Sequence, residues 1–103
     1  MDVTVKILLM HLPASIVIIE ESDGFKAILS DVDKSNSLSS IYNNDLEDLI
    51  NYIKEGLSIY KIGVTSNKTI LPLKLVAYSR FNNAMDIVCL WNNICKQKLL
   101  KTS

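Results

Sequence analysis

A chain of 103 residues, 49% of them apolar, is enough for one domain that buries roughly two-thirds of the surface its unfolded chain exposes. Its 11 basic and 11 acidic side chains cancel, which argues against the strongly basic surface of a general nucleic-acid binder. Its single histidine excludes any site that needs two, and no stretch approaches the roughly 18 uninterrupted apolar residues of a membrane span.

Val3, Val5, Ile7 and Leu9 alternate with Thr4, Lys6, Leu8 and Met10, and this β-branched run predicts a strand that Pro13 ends. The apolar run from Ile7 to Ile19 follows Asp2, is broken by His11, Pro13 and Ser15, and leads into Glu20, Glu21 and Asp23. It is therefore expected to be folded chain rather than a signal segment. Two runs, 15–22 and 25–32, flank Asp23-Gly24, and an Asp-Gly pair between apolar runs predicts a two-residue hairpin loop. That loop would set Glu21 opposite Lys26, Ile19 opposite Ile28 and Val17 opposite Ser30.

Residues 34–44 are rich in Ser and Asn and read as a mobile loop pinned by Leu38, Ile41 and Tyr42. Asn44 is expected to cap a helix with Asp45, Glu47 and Asp48 in its first turn, where the helix dipole favours acids. Leu46, Leu49, Ile50, Ile53 and Leu57 fall on one stripe of that helix, and Gly56 is expected near its end. Two further strands, 59–64 and 69–78, turn around Ser66-Asn67, and Pro72 predicts an edge or bulged position for the second. From Asn83 a second helix carries Ala84, Ile87, Val88, Trp91, Ile94 and Cys95 along one face.

The order βββαββα predicts one α+β domain over residues 1–103: an antiparallel sheet of about five strands with two helices packed on one face. No repeat or low-complexity tract interrupts it.

Chemistry-bearing motifs are few. His11 lies at a strand end and reads as a structural residue; Cys89 and Cys95 lack a CxxC spacing, and no glycine-rich phosphate loop exists. Asp31 and Asp33 lie two apart near a strand end and could share a face. A metal or a minimal catalytic site with His11 is the weaker reading there, so no cofactor and no enzymatic activity are expected.

The charges are sorted by position. Residues 1–55 hold ten acids against four bases, net −6, and residues 56–103 hold seven bases against Asp86, net +6. On the first helix Asp48, Asn51 and Glu55 lie opposite the apolar stripe, with Asp45 and Tyr52 flanking them, which is the makeup of an anchor for a basic partner.

The expected function is a small cytoplasmic protein-binding module that neutralises a basic protein, such as a toxin or nuclease effector, in the manner of an immunity protein or antitoxin. Its partner-binding residues would be Asp31, Asp33, Asp45, Asp48, Asn51, Tyr52 and Glu55. Replacing Asp45, Asp48 and Tyr52 is expected to leave stability nearly unchanged. The alternative is a nucleic-acid-binding or regulatory module that uses the lysines of the C-terminal half. The stretch bounded by Ala84 and Trp91 has Asp86 as its only polar residue, which adds an expected homodimer contact.

Overall fold

The computed structural model describes residues 4–10, 12–31, 40–59, 61–64, 73–78, 81 and 83–102. The elements are β1 (Val5–Leu9), β2 (Ser15–Glu21), β3 (Gly24–Ser30), β4 (Ser40–Asn43), α1 (Leu46–Gly56), β5 (Lys61–Val64), β6 (Leu73–Tyr78) and α2 (Ala84–Thr102). The architecture is α+β, with the strands in one sheet of order β4-β3-β2-β1-β6-β5. Among the described strands only the β1–β6 pair is parallel.

Side-chain alternation explains the layering. Ile7, Ile16, Leu29 and Leu75 form one row across β1, β2, β3 and β6, and Val5, Ile18, Ala27 and Ile41 form a second row ending on β4. These residues are at most 6% exposed. The inward positions of α1 (Leu49, Ile53, Leu57) and α2 (Ile87, Val88, Trp91, Ile94, Cys95) complete the same core, as the helical periodicity predicts. Among the described residues no helix is long and apolar enough to cross a membrane.

Several expectations are corrected. Among the described residues the sheet has six strands, because residues 40–43 form β4 where a loop is expected; Ile41 alone fills a core position there, at 1% exposure. Leu38 and the rest of residues 32–39 lie outside the described residues. The hairpin pairs Glu21 with Gly24, so Ser22 and Asp23 make the turn and the register sits two residues from the one expected. Faces are unchanged, because a two-residue slip preserves the alternation.

Strand β6 lies between β1 and β5 rather than at an edge; it starts at Leu73, after Pro72, which is outside the described residues together with the Ser66-Asn67 turn. The last of α1 is also different. Its C-terminus is a Schellman motif in which the Ser58 N–H donates to the Glu55 carbonyl and the Ile59 N–H to the Lys54 carbonyl. Ser58, at φ 56°, holds the left-handed position. Gly56 is the last residue of α1, near the end as expected, and it also serves a contact: a Cβ there would come within 2.5 Å of Ile94 Cγ2, so the glycine lets α2 approach α1.

Candidate functional site

Pairing of β4 with β3 determines where the acids gather. Asn43 is opposite Phe25, so the chain turns into α1 beside the β2–β3 hairpin, and Gly24 faces Asn43 and Asn44 closely enough that a Cβ would meet their backbone at 2.7 Å. The carboxylates of Glu21 and Asp23 on the hairpin therefore share one end of the molecule with Asp45, Glu47 and Asp48 in the first turn of α1.

Local hydrogen bonds fix that turn. The Asp45 N–H donates to Asn43 Oδ1 at 2.8 Å, and Asp45 Oδ2 accepts from the Asp48 N–H at 3.3 Å, which makes Asp45 the N-cap in place of the expected Asn44. Asp48, Asn51 and Glu55 are exposed along the outer side of α1. Among the described residues none of Asp45, Glu47, Asp48 and Glu55 forms an ion pair; those present join Lys6 to Asp31 at 4.0 Å and Lys26 to Glu21 at 3.8 Å.

Other members of the expected set lie elsewhere. Asp31 follows the far end of β3, a strand length of about 23 Å from the hairpin at ~3.3 Å per residue. There its carboxylate accepts from Ser15 Oγ at 2.6 Å and approaches Lys6, with a backbone φ of 66°. Asp33 and His11 lie outside the described residues. Tyr52 does not stand on the outward side: its hydroxyl donates to the Ile94 carbonyl at 2.7 Å, tying α1 to α2. Burial first, and the neighbouring Cys95 second, push that hydroxyl above the usual tyrosine range.

Asp45 as cap and Tyr52 as strut each make a hydrogen bond that replacement would remove, so variants at these two positions should lose roughly 1 kcal/mol each and are poor tests of binding alone. Among the described residues no group of three or more His, Cys, Asp or Glu side chains is placed to hold a metal ion.

The two thiols are free and differ in setting. Cys89 is exposed, and together with Met85, 58% exposed, it forms the outward side of the apolar stretch of α2; Cys95 is 3% exposed, and burial pushes its thiol up to about 11. The folded state thus holds the Cys95 proton more tightly than the unfolded chain, whose ordinary value is 9.0. Stability from this source is complete below pH 9 and is lost as pH rises toward 11, the window between the two values. Chemical denaturation at stepped pH should show that decline, and Cys95→Ala should make it shallower. A thiol reagent should label Cys89 in the native protein and Cys95 only on unfolding; equal labelling rates would contradict the burial.

The sequence reading missed Tyr42, Ile19 and Ile28 as surface candidates. They share the sheet face opposite the helices, where the strand alternation places them with Lys26. Compared with known proteins, the chain matches no family model, no curated protein and no solved structure.

Proposed function

We propose that this chain is a non-catalytic protein-binding module that neutralises a basic protein partner through its acidic end, as a toxin-immunity protein or antitoxin does. The observation that carries the reading is the convergence of two acidic segments, the β2–β3 hairpin and the start of α1, separated in sequence and joined by the β3–β4 pairing. Asp45, Asp48 and Glu55 lack internal counter-ions among the described residues, so a cationic partner would supply the charges the fold does not. Long-range attraction to such a surface speeds encounter by about 10-fold or more at low salt. Free thiols at Cys89 and Cys95 suit a reducing cytoplasm.

Asp48→Lys combined with Glu55→Lys tests the reading, because neither side chain is the cap or the strut. The double variant should retain stability to within about 1 kcal/mol and bind a partner captured from the native host at least about tenfold more weakly, chiefly through slower association. Unchanged affinity would remove the α1 surface from the interface. Retention on an anion exchanger but not on heparin at neutral pH would separate this reading from one based on the lysines of the C-terminal half.

A further inference from the structure

Helices cover one face of the sheet, and no described element covers the other. At its β2–β3–β4 end that open face holds a groove of about 590 Å³, within the roughly 300–1,000 Å³ of pockets that take small ligands or side chains. Ile19 and Ile28 supply apolar lining, Tyr42 is 42% exposed, and Glu21, Asp23 and Lys26 complete the polar part of the wall.

Strand register makes the arrangement specific. Ile19, Lys26 and Tyr42 are direct cross-strand neighbours. The Tyr42 hydroxyl lies over Gly24, where a Cβ would come within 2.9 Å of it, so the missing side chain leaves room for the ring. Loss of solvent and then the charges of Asp23 and Glu21 raise the Tyr42 hydroxyl above its usual range, which agrees with carboxylates close to the ring.

Charge complementarity selects the occupant. Lys26 answers Glu21 across 3.8 Å, with both side chains about two-fifths exposed, and such a pair contributes little and exchanges readily. Asp23 forms no ion pair among the described residues. A ligand group for this groove should be cationic, planar enough to lie on a tyrosine ring, and able to engage carboxylates through several donors. The guanidinium meets all three requirements; an ammonium is cationic and has three donors, but it is not planar and lacks the fixed fork that pairs with a carboxylate through two parallel bonds.

Building on the reading of a basic protein partner, we propose that this groove seats an arginine side chain of that partner, its guanidinium stacked on Tyr42 and paired with Glu21 and Asp23 in place of Lys26.

Methyl and aromatic NMR on the labelled protein, titrated with a blocked arginine–glycine repeat peptide and a lysine–glycine peptide of equal length and charge, tests this. Shifts should centre on Ile19, Ile28 and Tyr42, with the arginine peptide bound about five- to tenfold more tightly. Tyr42→Ala should abolish that preference, Tyr42→Phe should keep it, and Glu21→Gln with Asp23→Asn should weaken both peptides. Unchanged amide spectra away from the groove would show that each variant is folded. Shifts confined to the outer side of α1 would overturn the groove while leaving the acidic-surface reading intact. No binding anywhere would count against both, and groove binding without an arginine preference would overturn the stacking assignment.

Discussion

Trp91→Ala should cost about 3–5 kcal/mol of folding free energy, the range for emptying a fully enclosed aromatic site. Trp91 is 0% exposed and is the largest of the fully buried side chains. It lies on the α2 stripe with Ile87, Val88, Ile94 and Cys95, inside the single core cluster that joins both helices to the sheet. A domain of this size is stable by roughly 5–15 kcal/mol, so the loss is a large share of the total and should lower Tm by roughly 4–8 °C for each kcal/mol. Trp91 is the only tryptophan, so its fluorescence disappears with the substitution and unfolding must be followed by far-ultraviolet circular dichroism. Urea titration should show a lower midpoint with an unchanged slope. Trp91→Phe should recover much of the loss, because it keeps an aromatic ring in the site. A cost below about 1 kcal/mol for the alanine variant would mean that α2 does not seal the core as described.

Periodicity alone makes that residue legible as core in the sequence. The stripes of both helices, the alternation of β1 and the α+β class follow from 2- and 3.6-residue spacing, signals that report burial directly, whereas β2 and β3 are apolar on both faces and alternation alone does not choose the inward one. Signals that depend on a distant neighbour were not legible. The parallel β1–β6 pair joins segments more than 60 residues apart. Strand β4 offers four residues with one core side chain, too little pattern to separate from a loop.

Tyr52 shows the same limit on a helix. At ~100° per residue it lies about 60° from Leu49, at the margin of the apolar stripe, and only the position of α2 determines whether that margin faces water or protein. The acids at Asp45 and Asp48 were legible as a helix start, but their meeting with Glu21 and Asp23 depends on β3–β4 pairing. Glycine was only partly legible. Gly24 resembled a loop residue and instead opens β3, and Gly56 ends α1 as its position suggests, but the close approach of another segment to each was not visible in the sequence.

Gly24→Ala should destabilise the fold by about 1–3 kcal/mol, the usual cost of forcing extra volume into a packed site. The sign of this effect separates two accounts. Gly24 does not have a positive φ, so alanine fits its backbone and, on conformational grounds alone, should stabilise by about 0.4–1 kcal/mol through a less disordered unfolded chain. Contacts oppose this. The new Cβ would meet the Asn43 carbonyl oxygen and Asn44 Cα at 2.7 Å and the Tyr42 hydroxyl at 2.9 Å. Two of those atoms are backbone and cannot rotate away, so the end of β4 must move off β3. That movement would strain the Phe25–Asn43 pairing and the Asn43 side chain that accepts from the Asp45 N–H. Hydrogen exchange should accelerate at the β4 end and in the first turn of α1, while β1 and β6 stay protected. Gly63→Ala is the matched control, since among the described residues a Cβ there meets only Tyr78 Cε2 at 3.7 Å, an ordinary contact. With no clash to oppose it, that substitution should stabilise by about 0.4–1 kcal/mol on the same conformational grounds. Equal denaturation midpoints for the two alanine variants would disprove the close crossing at Gly24, and with it the feature that brings the hairpin acids beside the start of α1.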